Sequence, residues 1–570
     1  MSQIISFIIN NLKEINPSKN FKSLHTNIRG DVLAGITVAI IALPMALAFG
    51  EMSGLGPIAG VWGAIAGGVV GGLFGGCMVG VSGPTAPKAA QISLYIGAGA
   101  IISTVPELDK SAAFSIIFLS GLILAIISML KISHFIHYTP YPVVAGFMCG
   151  IGVIVIFTQM NAFLGLPPEE DIHAVFKNFG SIVRDFNPQA LYVSIPSLLI
   201  LFLWSPIGKR IEFLKKIPSP LIALIAGTSI SYYMNKVHSI KLFTISDDMK
   251  DVSGDIFSFY IPNLNQFGDF IGPAFALAGL AVLDSLLSCK VADNMTGTRH
   301  SSDRETFGQG MANMAAGLIG GVTTATATMR TVANIKFGGK TPLASIVHGL
   351  TLLSILLGLG VLVAIIPKAC LAAILFKVGI DIMDYRILPV LRKLPITDLL
   401  IFIIVLFVTV YADLLIAVGI GVAFAFLRYI KDLRLNYDHK VVSLLETDFI
   451  TEKNNLKEVD KSAVRVLEPR GPLFFASIEH LVKVYSDSPK HEMLIIDMGR
   501  TTMIDLSGVY ALEDLIKNVR SKNIKVFVSN ANSKIKQVLE KMDFMKHLGR
   551  DYYQDSKESM ASIISKHYIT

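Results

Sequence analysis

"GGVTTATATMRTVANIKFGGK" occupies Gly320–Lys340, with long apolar runs on either side. Threonines alternate with small residues, and an arginine follows. Lipid-facing helix is not built this way, because charged and strongly polar side chains inside hydrocarbon face the protein interior or a cavity. Irregular backbone at membrane depth is tolerated only where protein or water covers it. The stretch therefore reads as a broken membrane segment that lines an internal site.

Composition supports that frame. The chain has 570 residues, 52% of them hydrophobic and 16% charged, with a mean hydropathy of +0.58, which describes a polytopic membrane protein. The formal net charge of +7 is spread over short loops and the C-terminal region, with no basic arm, so nucleic-acid binding is excluded as a reading. Cys77, Cys149, Cys289 and Cys370 have neither paired loop spacing nor metal-ligand spacing. Neither a disulfide framework nor a metal site is expected.

Hydropathy predicts about fourteen apolar segments between Asp31 and Ile430, each near the roughly 20 residues that cross a bilayer. Residues 1–30 read as a basic cytoplasmic segment without a cleavage site, and an even span count returns the C-terminus to the cytoplasm. The loops agree with this orientation: Ser205–Pro220 is basic, while "LGLPPEEDIHAVFKNFG" and "TISDDMKDVSGD" carry acidic clusters. The expected location is the inner (plasma) membrane.

The first half holds a counterpart to the opening stretch. "DVLAGITVAIIALPMALAFG" opens a helix and "VSGPTAPKAAQISLY" follows about fifty residues later; "IGPAFALAGLAVLDSLLSC" opens another, and "TTATATMRTVAN" follows at a similar offset. Interrupted segments at corresponding positions of two halves point to the binding site of a secondary transporter. The repeats span about 31–236 and 266–430.

Chemistry follows from helix ends. A helix that starts inside the membrane leaves its first N–H groups unpartnered and carries partial positive charge there, so two such ends make an anion site. Pro84 and Pro87 suit a helix start. Thr85 and Ala86 on one side, and Thr326, Ala327, Thr328 and Arg330 on the other, are the anion-binding candidates. Asp284 costs about 2.5–3.5 kcal/mol to insert, which marks a cavity or a partner. With Ser288 one turn on, and close to the exposed carbonyls of a broken helix, it offers oxygen ligands to Na+. Binding of a proton and pairing with Arg330 are the alternatives.

Beyond Ile430 charges become dense and apolar runs shorten. Residues 431–461 read as a linker, with room for one helix or edge strand. Strands at "SAVRVLEPRGPLFFA", "HEMLIIDMGR" and "NIKVFVSN" alternate with helices at "SIEHLVKVYSD", "SGVYALEDLIKNVRSK" and "SKIKQVLEKMDFMKHL", giving an α/β domain over 462–570.

On these residues, and on "LDSLLSCKVADNMTGTRHSSDRETFGQGMANMAAGLIGG" and "FKVGIDIMDY", almost the whole chain resembles the sulfate permease (SulP) family of anion transporters. The C-terminal part resembles the STAS domain, with "IDLSG" at Ile504–Gly508 matching its strand-to-helix loop. The resemblance implies two inverted seven-helix repeats forming core and gate domains, an elevator-like movement, and a homodimer through the STAS domain. It also implies that the anion lies between the third and tenth helices. By the same likeness Thr85 contacts the anion, Asp284 and Ser288 hold Na+, and Thr326, Ala327 and Thr328 complete both sites. Arg330 stands where some members have glycine and others arginine, and could stand in for Na+. Lys88 replaces an apolar residue and reads as a snorkelling or interior-paired lysine before a ligand. Ser507 reads as a helix cap before a regulatory site.

The expected function is secondary active transport of a small inorganic anion, bicarbonate with Na+ first. Sulfate, another oxyanion or a dicarboxylate, moved by proton symport or exchange, comes second. Channel-like conduction and membrane-anchored signalling through the STAS domain are the other classes. No nucleophile–base pair or phosphate loop suggests an enzyme, and no cofactor beyond a coupling ion is expected.

Overall fold

The structure is a computed structural model that describes residues 15–96, 110–133, 139–167, 172–208, 217–249, 259–262, 267–383, 387–411, 414–429, 438–447 and 463–568. Much of the linker at 431–461, part of the basic loop, and parts of both acidic loops lie outside them, as do residues 1–14. The chain divides into two compact units: one comprises Met1–Ile136, Met148–Met383 and Leu406–Ala417, the other His137–Phe147, Asp384–Val405 and Val418–Thr570.

The first unit is helical. Its helices include α1 (Ile28–Met52), α2 (Pro57–Ala66), α3 (Ala86–Ile96), α4 (Lys110–Met129), α5 (Phe267–Thr296), α6 (Ser302–Leu318), α7 (Thr328–Lys336) and α8 (Leu343–Ala364). Among the described residues, five helices are long and apolar enough to span a bilayer, or six if the pair Phe179–Asp185 and Pro188–Trp204, bent by 99°, counts as one span. Among the described residues, shorter apolar helices such as Ile396–Tyr411 add to these, and α7 is a helix of nine residues; the expected count of about fourteen includes segments outside the described residues.

Helix contacts express the internal repeat. α1, the first helix of the first half, packs on α8, the fourth of the second; α5, the first of the second half, packs on α4, the fourth of the first. This reciprocity is what two repeats related by a twofold axis produce. Small residues bring the backbones together: a Cβ on Gly121 of α4 would lie 2.5 Å from the Gly310 carbonyl oxygen of α6, and one on Gly35 of α1 would lie 2.6 Å from that of Ala344.

The end of the opening stretch is fixed by α1. Gly338, at φ +91°, stops α7 in a conformation that side chains disfavour. Asp31 Oδ1 then accepts the Lys340 N–H at 2.7 Å and Oδ2 the Thr341 hydroxyl at 2.6 Å. "FGGK" is thus a stop followed by a tie to the first helix.

The second unit contains the α/β domain. Strands β3 (Lys440–Ser443), β4 (Val464–Glu468), β6 (Met493–Asp497), β8 (Lys525–Ser529) and β9 (Tyr553–Gln554) form one sheet in that order, antiparallel at β3–β4 and parallel elsewhere. β5 (Gly471–Leu473) and β7 (Thr501–Ile504) pair separately. β3 is the edge strand for which the linker had room. The final helix expected over 533–548 is two, Ser533–Lys541 and Phe544–Leu548, because Asp543 takes φ +58°.

Ser507 is not the cap. Asp505 caps Leu506–Ser521, its Oδ1 accepting the Gly508 N–H at 2.7 Å, while Ser507 Oγ accepts the Tyr141 N–H at 3.0 Å within the same unit. Burial and the neighbouring His480 push the His439 imidazole down to about 4. An unfolded histidine titrates near 6.5. The unfolded chain therefore binds more protons between these values, so the contribution is complete above pH 6.5 and is lost as pH falls toward 4. Hydrogen exchange should find β3 and β4 less protected at pH 4.5 than at pH 7, by up to about 3 kcal/mol. In His439→Gln the difference should shrink.

Candidate functional site

The two interrupted segments meet. β1 (Ser82–Gly83) pairs antiparallel with β2 (Ala325–Thr326), Ser82 opposite Thr326 and Gly83 opposite Ala325. Each two-residue strand leads, within two residues, into a helix, β1 into α3 and β2 into α7. Thr85 accepts the Ala89 N–H at 3.0 Å and Ala327 the Thr331 N–H at 3.0 Å, so both helices are wound from their first turn. Their amino ends, with the partial positive charge of unpartnered N–H groups, flank the strand pair. Pro87 is the second residue of α3, where its missing N–H removes no helical bond.

The alternating threonines are explained by α6, which presents Glu305, Gln309 and Asn313 one turn apart on one face. Glu305 Oε2 accepts the Gly76 and Cys77 N–H groups at 2.8 and 2.9 Å, and Oε1 accepts the Thr326 hydroxyl. Gln309 Nε2 reaches Ser82 Oγ at 2.7 Å and Thr326 Oγ1 at 2.9 Å, touching both strands. Asn313 Oδ1 accepts the Thr324 N–H at 2.7 Å and the Thr323 hydroxyl. Buried backbone without a ladder is thereby satisfied by side chains.

α5 holds the strand pair from another side. Ser285 Oγ accepts the Thr326 N–H at 3.2 Å, and Ser288 Oγ shares a hydrogen bond of 2.7 Å with Thr328 Oγ1. Thr326 and Thr328, expected to offer hydroxyls to ligands, already have protein partners. Thr328 is exposed, at the accessible edge of the site.

Two of the three charged groups are buried, and all three hold atoms left unsatisfied among the described residues. Lys88, in the first turn of α3, is 0% exposed, and Arg330, in the first turn of α7, is 1% exposed. Among the described residues, Lys88 Nζ, Arg330 Nη1 and Nη2 and Asp284 Oδ2 have no hydrogen-bond partner. Lys88, Arg330 and Asp284 nonetheless lie within electrostatic reach of one another, with Thr85 beside Asp284. Lys88 therefore does not snorkel, and no hydrogen bond closes Asp284 and Arg330 into a pair. A Cβ on Gly83 would fall 1.6 Å from Arg330 Nη1, so the guanidinium crosses from the second segment to lie on the backbone of the first. His348, 0% exposed and with both ring nitrogens unpartnered, stands near Arg330.

The structure thus brings together Thr85, Ala86, Asp284, Ser288, Thr326, Ala327, Thr328 and Arg330, all on the two interrupted segments or the facing part of α5. Sequence reasoning missed Ser82, Ser285, Glu305, Gln309, Asn313 and His348. A polar residue every fourth position in "ETFGQGMAN" was the available signal.

Two helices that begin at a shared strand pair, in a repeat-built helical unit followed by an α/β domain, fit an anion-transporter architecture. The chain belongs to the sulfate permease family, which matches residues 28–405, and a STAS domain matches residues 456–558. Bicarbonate transporter BicA of Picosynechococcus sp. is 32% identical over 538 residues, covering 93% of this chain and 94% of that protein. Sulfate transporter 1.3 of Arabidopsis thaliana is 24% identical over 555 residues, covering 92% and 83%. The solved transmembrane domain of a cyanobacterial BicA superposes with a TM-score of 0.60 at 33% identity, covering 69% of this chain and 97% of that one. The chain is therefore an anion transporter of this family and not an enzyme.

Proposed function

We propose that the protein carries a small inorganic oxyanion, bicarbonate first and sulfate second, held between the amino ends of α3 and α7 and moved by an elevator-like shift of the helices that carry them. The observation that supports this most is the pair of buried basic side chains, Lys88 and Arg330, whose Nζ, Nη1 and Nη2 have no partner among the described residues. A buried unpaired charge is costly. An oxyanion that accepts from both, and from the Thr85 hydroxyl and the two helix ends, removes that cost.

A second reading, Na+ coupling at Asp284 with Ser288, Thr326, Ala327 and Thr328, is favoured by the unpartnered Asp284 Oδ2. What weighs against it is that two basic side chains, Lys88 and Arg330, already lie within reach of that carboxylate. A proton on Asp284 is the other coupling choice. Termini in the cytoplasm, an inner-membrane location and a dimer through the STAS domain complete the proposal.

The test is uptake of radiolabelled bicarbonate and of sulfate into proteoliposomes preloaded with the same unlabelled anion, with and without an inward Na+ gradient. The expected result is bicarbonate uptake that exceeds sulfate uptake and is indifferent to Na+. Sodium-driven uptake lost in Asp284→Asn would establish the second reading instead.

A further inference from the structure

One ion pair in the helical unit joins two groups of helices, and its consequence depends on the elevator-like transport proposed above. α1 packs on α3, α7 and α8, so it belongs with the helices that carry the site. The helix Lys368–Ile382 packs on Pro188–Gly208 and Ser219–His238, and it also meets α1. At that meeting Lys368 Nζ lies 2.8 Å from Glu51 Oε1, with the two side chains only 13% and 9% exposed. The helix ends themselves do not explain the pair. Glu51 is the next-to-last residue of α1, and Lys368 is the first of its own helix. A carboxylate at a carboxyl end and a cation at an amino end are each disfavoured by the partial charges of the helix that bears them. Neither charge therefore stabilises its own helix, and what the pair contributes lies between the two helices.

We propose that Glu51 and Lys368 form a latch between the helices that carry the anion site and the group packed on Lys368–Ile382, and that its opening sets the pace of transport. Packed elements that slide past one another do so between discrete arrangements. A shift of α1 by one helical turn, about 5.4 Å, would part these atoms. An ion pair held almost out of water is strongly destabilised when its members separate without new partners. The pair thus favours the arrangement seen here, and each passage of the site has to break it.

The experiment measures the initial rate of uptake per reconstituted full-length protein, at saturating 14C-labelled bicarbonate, into proteoliposomes preloaded with the unlabelled anion; labelled sulfate takes its place if the wild type moves only that. Glu51→Gln with Lys368→Met removes both charges and leaves neither buried alone, and it should be at least threefold faster than the wild type. Loss of a merely structural pair would leave the rate unchanged or lower it. Glu51→Lys with Lys368→Glu restores a pair, in the orientation that both helix ends favour, and should return to within twofold of the wild-type rate. If the uncharged variant elutes from a sizing column as aggregate, Glu51→Asp decides: its carboxylate is one methylene short of Lys368, and it should be at least twofold faster. An uncharged variant no faster than wild type overturns the latch, as does a swapped pair as fast as the uncharged one, or Glu51→Asp no faster where it decides. A wild type that moves neither anion overturns the transport reading and the latch with it, whereas wild-type uptake without acceleration in the variants overturns the latch alone.

Discussion

Gly83→Ala is expected to lower anion uptake by about a hundredfold while leaving the protein folded, since misplacing a binding group by an ångström can cost that much. The added methyl group would sit 1.6 Å from Arg330 Nη1 and 2.7 Å from its Cζ. A guanidinium is the far end of a flexible side chain, so it swings away and the strand pair stays. Positive charge then leaves the place where α3 and α7 meet. Arg330→Met should lose as much, and the double variant no more than either alone, because both changes remove one interaction. Uptake by Gly83→Ala within twofold of wild type would mean that Arg330 does not act from this position. Flow of the purified variant through a sizing column reports whether the fold survived.

Glu305→Ala is expected to destabilise the protein itself. The carboxylate is 2% exposed and takes hydrogen bonds from two backbone N–H groups, the Gln309 amide and the Thr326 hydroxyl. Hydrogen bonds to a charged group contribute about 1.5–3 kcal/mol each, and buried donors left unmade add their desolvation cost, so a loss on the order of 3 kcal/mol or more follows. Thermal unfolding of detergent-solubilised protein should show a clearly lowered midpoint, with Glu305→Gln intermediate because it keeps an acceptor oxygen. An unchanged midpoint in Glu305→Ala would contradict the role given to this network. Arg304 belongs to the same region: its Nη2 donates to Asn20 Oδ1, and Asn20 Nδ2 donates to the Gly72, Leu73 and Gly75 carbonyls. The segment before α1 is thereby tied to the chain that leads into β1.

How much of this was legible in the sequence depended on whether the signal was local. "GPTAP" and "TATATMR" announced broken helices because proline, threonine and arginine have no other reason to interrupt apolar text, and the strand pair joins those residues. Strands and helices of the α/β domain were readable from their two distinct periods. The partners of the threonines were not, because they come from α6, whose Glu305, Gln309 and Asn313 are distributed over two helical turns of small residues. For Lys88 the sequence left snorkelling and interior pairing both open, because a lysine near a helix end ordinarily reaches for water, and only the fold shows that it is buried with Asp284 and Arg330 as neighbours.

The central claim, that the anion sits between the amino ends of α3 and α7, is open to direct observation with perrhenate, a monovalent oxyanion whose rhenium scatters strongly. Anomalous diffraction from crystals of the protein grown with it should place one peak beside Lys88, Arg330 and Thr85, and Lys88→Met with Arg330→Met together should remove that peak. A rhenium peak at another place in the helical unit, with none at the strand pair, would contradict the account.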